Sequence, residues 1–114
     1  MEINDQMLQQ IFSMPIFKGK IVSGSMEPVI KIGEEILVVV KAQDIKKFDI
    51  IVFKQNNKLI CHYLWSINKM IDPKLMQTRS LLGGKDFPIR EEDYIGKVIS
   101  HKLSVWRILK IIFF

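Results

Sequence analysis

Two runs rich in β-branched and aromatic residues, Asp49 to Lys54 and Lys58 to Ile67, are separated only by Gln55-Asn56-Asn57. Asparagine tolerates the positive φ that tight hairpin turns demand, so this segment predicts an antiparallel hairpin. Glu35 to Lys41 is nearly all apolar and β-branched, which predicts a strand covered on both faces. Lys20 to Val22, Met76 to Leu82 and Tyr94 to Leu103 supply the remaining strand signals, with a turn at Gly83-Gly84 and an interruption at Pro88. Before them, residues 5–12 place Met7, Leu8, Ile11 and Phe12 at helical spacing, with Asp5 as the expected N-cap and Pro15 as the stop. The expected fold is mostly β: a small, coiled, antiparallel and barrel-like sheet preceded by a short N-terminal helix.

At 114 residues the chain has the length of a single domain, 1–114, with one modest core. Lys plus Arg number 17 and Asp plus Glu 12, a net charge of +5 that suits an anionic membrane surface. Nucleic acid is not expected, because the basic residues are scattered and no arginine-rich run, zinc-finger spacing or helix-turn-helix pattern is present. Cys61 is the only cysteine, so no disulfide forms within the chain. Cys61, His62 and His101 lack zinc-ligand spacing, and neither a metal nor another cofactor is expected.

No run approaches the ~18–20 apolar residues of a membrane span, and Ile11 to Phe17 lacks the profile of a cleaved signal peptide. The expected location is therefore membrane-associated or cytoplasmic. The apolar tail 104–114 is broken by Arg107 and Lys110, and its length favours a final strand or helix packed on the core. Its other reading is a peripheral anchor, with Trp106, Phe113 and Phe114 entering the lipid headgroup boundary.

The chemistry-bearing residues lie in Ser23-Gly24-Ser25-Met26-Glu27-Pro28 and in Ile60-Cys61-His62-Tyr63-Leu64. A serine hydroxyl is a poor nucleophile near neutral pH until a base takes its proton, and histidine on a rigid strand is the commonest such base. Strand alternation puts Ile60, His62 and Leu64 on one face and Cys61, Tyr63 and Trp65 on the other, so Cys61 and His62 do not form a dyad. Taken alone, Ser-Gly-Ser is a common turn triplet, and a single strand histidine is commonly a core residue.

Together, in this order, these blocks resemble the signal peptidase family, and within it the archaeal and endoplasmic-reticulum branch that uses histidine where most bacterial members use lysine. The resemblance covers roughly residues 20–100. It rests on Gly24-Ser25-Met26-Glu27-Pro28 with the strand after Gly33-Glu34, on the apolar strand around His62, and on the closing Ile95-Gly96-Lys97-Val98. It implies a serine endopeptidase with Ser25 as nucleophile and His62 as general base. Ser23 and the Ser25 amide would form the oxyanion hole, and Met26 and Pro28 would lie at the substrate-binding rim. The implied substrate is a signal or leader peptide, or a preprotein, with small residues before the cut.

The family's histidine branch also carries a Gly-Asp motif and a second aspartate. Here that region is Leu82-Gly83-Gly84-Lys85-Asp86-Phe87-Pro88, with one aspartate missing and the loop shortened. Asp86 is the expected third catalytic group by position, with Asp93 as its alternative; either also suits a turn. Tyr63 stands where the family usually has arginine, and Asp49 reads as structural. Two other functions fit the same resemblance. One is a catalytically silent peptide- or membrane-binding module, and the other is a self-cleaving peptidase of the repressor type, which normally uses lysine.

Overall fold

The computed structural model describes residues 3–68, 70, 74–83 and 86–113. Its elements are α1 (Asp5–Phe12), β1 (Ile16–Lys20), β2 (Glu35–Val40), β3 (Ile50–Gln55), β4 (Lys58–Asn68), β5 (Leu75–Arg79) and β6 (Ile89–Arg90). A 3₁₀ turn (Glu91–Asp93), β7 (Tyr94–Val98) and α2 (Val105–Phe113) complete the order. The strands form one seven-stranded sheet in the order β1-β2-β7-β3-β4-β5-β6, with every described pairing antiparallel. The mostly β expectation holds. β1 and β6 are the two edges and do not pair, so the sheet stays open and stops short of barrel closure.

The hairpin forms as its sequence predicts. Gln55 pairs with Lys58, and Asn56 and Asn57 take φ of 51° and 61°. Those are the two left-handed positions that a tight two-residue turn needs. α1 also forms over the expected residues, but Asn4 is the N-cap, its Oδ1 accepting from the Met7 amide at 2.8 Å. Asp5 instead places its charge in the first turn, near the positive end of the helix dipole.

Three strand expectations shift. The first strand runs Ile16–Lys20, because these residues pair with the whole of Glu35–Val39. Ile21 leaves the ladder to exchange backbone hydrogen bonds with the Gly33-Glu34 turn. The last strand ends at Val98 and the one before the Gly83 turn at Arg79. β2 buries Ile36 and Val38 but exposes Glu35 and partly exposes Leu37. The strand covered on both faces is β3: Ile50 and Val52 enter one apolar cluster, and Ile51 and Phe53 the other. Gly84, Lys85 and Phe114, which fall in the expected turn and tail, lie outside the described residues.

The two clusters sit on opposite faces of the sheet. The larger joins α1 through Ile11 to Val38, Ile50, Tyr63, Ile95 and Val98, and carries Ile108 and Ile111 of α2 against it. The smaller gathers Ile51, Phe53, Leu64, Met76, Ile89 and Tyr94. Gly96 lies where β7 crosses closest to β2, and a Cβ there would strike the Val39 carbonyl. Only a residue without a side chain permits that approach. Asp49 is structural as expected: its carboxylate accepts from the Lys46 amide at 2.9 Å and lies 3.5 Å from Lys97 Nζ.

Candidate active site

β1 runs into Ile21-Val22, which deliver the chain to the turn at Ser23–Val29. Two backbone bonds hold that turn: the Glu27 amide donates to the Gly24 carbonyl, and the Ile30 amide to the Met26 carbonyl. A third reaches it from across the molecule, where the Leu81 amide donates to the Ser25 carbonyl at 2.9 Å. Buried Met26 and Ile30 anchor the turn from below in the larger core. Ser23 and Ser25 hydroxyls lie 3.3 Å apart, and the Ser25 amide donates to no group among the described residues.

His62 rides on β4 opposite Ile51 of β3. The alternation read from the sequence holds, since Ile60 and Leu64 lie in the smaller cluster and Cys61 and Tyr63 belong to the larger. The imidazole meets the Phe53 ring edge-on, with centroids 5.9 Å apart. Its Nδ1 is 2.5 Å from Asp86 Oδ2. A carboxylate only accepts, so the proton in this bond belongs to Nδ1 and the lone pair of the neutral ring is on Nε2. Among the described residues Nε2 has no hydrogen-bond partner.

Asp86 is itself fixed. Thr78 Oγ1 donates to the same Oδ2 at 2.7 Å, and the Asp86 amide donates to the Thr78 carbonyl at 3.2 Å. The Gln77 side-chain amide donates to the Asp86 carbonyl. Thr78 is completely buried, and its hydroxyl would be costly there without an acceptor. Gln77 and Thr78 were not singled out from the sequence. The available signal was a threonine at a core-facing position of an otherwise apolar strand face, beside Met76.

Ser25 and His62 line one cleft of about 550 Å³, together with Ser23. Its walls are largely apolar, built from β1 and the residues after it (Phe17, Gly19, Ile21, Val22), Ile36 of β2, Val52 of β3 and Leu59 to Cys61 of β4, with Lys20 and Lys58 also lining it. Among the described residues no direct hydrogen bond joins Ser25 to His62; such bonds are often long before substrate arrives. Met26 lines the floor of the cleft but is only 1% exposed, so it acts there as a core residue. Pro28 is exposed and not among the cleft-lining residues. Asp93 lies in the 3₁₀ turn, and the hydrogen bond to His62 is made by Asp86.

Cys61 also borders the cleft, yet burial pushes its thiol up to about 12. At ordinary pH it is a neutral thiol and a poor nucleophile.

The arrangement puts two serines and a carboxylate-bonded histidine in the lining of one largely apolar cleft. A family model described as signal peptidase, peptidase S26, matches residues 7–101. No curated protein and no solved structure matches the chain.

Proposed function

The chain belongs to the signal peptidase family, peptidase S26, and from that premise we propose a serine endopeptidase that removes signal or leader peptides through Ser25, His62 and Asp86. The observation that carries this reading is the Asp86–His62 hydrogen bond, made by a histidine that lines the same cleft as Ser25 and whose other ring nitrogen has no partner among the described residues. Families of this kind act on peptide bonds, and a carboxylate that sets the imidazole tautomer is what a histidine base needs.

In the proposed reaction Ser25 Oγ attacks the scissile carbonyl carbon while His62 Nε2 takes the hydroxyl proton. Asp86 holds the ring in orientation and stabilises the imidazolium that forms. The Ser25 amide and the Ser23 hydroxyl donate to the oxygen of the tetrahedral intermediate. Collapse breaks the C–N bond, the proton on Nε2 passes to the leaving amine, and an acyl ester remains on Ser25. Water then attacks the ester with His62 again as base, releasing the acid and restoring the serine.

Family likeness points to small residues before the cut. The apolar cleft wall beside edge strand β1 supports an extended substrate lying along that edge. The test is mass-spectrometric cleavage of a signal- and leader-peptide library by the parent protein, Ser25→Ala and His62→Ala, with and without lipid. Cuts after small residues by the parent alone support the proposal. Undiminished cleavage by Ser25→Ala would defeat the assignment of Ser25, and no cleavage from a folded parent would defeat the peptidase reading and leave a peptide-binding module.

A further inference from the structure

α2 is anchored on one side only. Ile108 and Ile111 pack against the larger core, while Val105, Trp106 and Phe113 are 70–77% exposed and Leu109 and Ile112 project partly outward. At about 100° per residue these five outward residues span an arc of roughly 120°, a continuous apolar face. Arg107 and Lys110 come next around the helix, on the side between that face and the core.

Behind them lies a second pocket, of about 300 Å³, lined by Tyr63, Arg79, Ser80, Arg107 and Lys110 among others. Among the described residues no acidic one lines it. Arg79 is held flat, its guanidinium carbon 3.7 Å from the Trp65 ring centroid, and Lys47 Nζ lies 3.9 Å from the centroid of the same ring. Arg79 Nε is buried with no hydrogen-bond partner among the described residues. A stacked guanidinium with an unmet donor beside two further cations is a site for an oxyanion.

We propose that this pocket takes the phosphate of an anionic phospholipid while the outer face of α2 lies in the headgroup boundary of the bilayer. The two features adjoin on one helix, and each supplies what the other lacks: apolar insertion from one, charge attraction from the other. A second copy of the chain fits the face less well. A two-fold contact would bring the basic borders of two α2 helices together in a protein already carrying +5. The inference stands on α2 and the pocket, independently of whether Ser25 cleaves peptides.

The experiment is co-sedimentation with phosphatidylcholine vesicles and with vesicles in which a fraction of the lipid is phosphatidylglycerol. It uses Ser25→Ala protein so that proteolysis does not intrude, with circular dichroism verifying each variant's fold. Binding to the anionic vesicles is expected to exceed binding to neutral ones, with about a fivefold loss for each basic residue removed in R107Q/K110Q. W106S/F113S is expected to abolish binding. Arg79→Lys, which keeps the charge but loses the planar fork, is expected to lose several-fold.

Equal binding to both vesicles would overturn the proposal, as would full binding by W106S/F113S. Full binding by Arg79→Lys would reduce the pocket to a diffuse charge effect and overturn the headgroup site. Saturable binding of inorganic phosphate without any vesicle binding would mark a free-anion site instead. A lipid-free dimer dispersed by W106S/F113S, again without vesicle binding, would assign the face to self-association.

Discussion

The chain holds two histidines, each bonded to a carboxylate, and they differ in whether a ring nitrogen is left without a partner among the described residues. His62 gives Nδ1 to Asp86, keeps Nε2 without a partner among the described residues, and is one of the residues lining the cleft with Ser25. His101 uses both nitrogens: Nε2 lies 3.1 Å from Glu34 Oε2, and Nδ1 lies 2.8 Å from Ser100 Oγ. Because the carboxylate needs a donor, the His101 proton belongs to Nε2, and the Ser100 hydroxyl donates to Nδ1. That serine is engaged further, accepting from the Leu37 amide at 3.0 Å. Glu34 in turn accepts from the Lys31 amide at 2.7 Å.

Residue types alone make the two sets look equivalent, since Ser, His and a carboxylate occur in both. The free lone pair and the cleft separate them. The His101 set instead ties Ser100, just past β7, to the Gly33-Glu34 turn, and that turn bonds Ile21 on the approach to the serine turn. On the proposed function His62 is the base, while the His101 bonds brace the approach to the serine turn.

The largest expected effect that sharpens this contrast is Asp86→Asn. Its amide donates to Nδ1, moves the ring proton to Nε2 and removes the lone pair, so kcat for a leader peptide should fall by about 10⁴-fold. A loss no larger than that of a surface substitution, measured by steady-state cleavage, would return Asp86 to a turn role.

Cys61, the neighbour of His62, tests whether β4 carries a second nucleophile. Burial pushes its thiol up to about 12 from an ordinary 9.0. At pH 8 its alkylation should therefore run at least about a thousandfold slower in the folded than in the urea-unfolded protein. The raised native value means that the folded state keeps a proton the unfolded state loses. Stability should be flat in this group below pH 9 and fall as pH climbs toward 12. Cys61→Ala should remove that part of the alkaline decline, seen in denaturant midpoints across the range. Fast native labelling at pH 8 would contradict the burial of the thiol.

The smallest expected effect belongs to the bracing set. Ser100→Ala removes one acceptor from the Leu37 amide and should lower stability by about 1 kcal/mol, read by denaturant unfolding, with cleavage at the parent level. On the partner side, backbone and His101 hydrogen bonds hold the Glu34 carboxyl below its ordinary value. Its contribution should thus persist above pH 4.5 and fade only as pH falls further.

How far the sequence foretold this molecule varied with the range of the interaction. The β3–β4 hairpin is legible because two asparagines between β-branched and aromatic runs settle it locally. His62 and Asp86 were named from family order, yet their contact spans 24 residues and depends on β5 folding back on β4. The supporting role of Thr78 was hidden for the same reason, since nothing in its neighbourhood in sequence says which carboxylate arrives above it. The first strand is harder to place from the sequence, because Ile21-Val22 have strand propensity while the pairing partner Glu35–Val39 takes Ile16–Lys20. From the sequence His101 reads only as a candidate metal ligand, because its bond to Glu34 crosses 67 residues.

The most direct test of the division between the histidines is kcat/KM on a single leader peptide for His62→Ala and His101→Ala, with both folds verified by circular dichroism. At least about a thousandfold loss in His62→Ala with near-parent values in His101→Ala is the predicted result. Equal losses in the two, or an active His62→Ala protein, would contradict the assignment of His62 as the base.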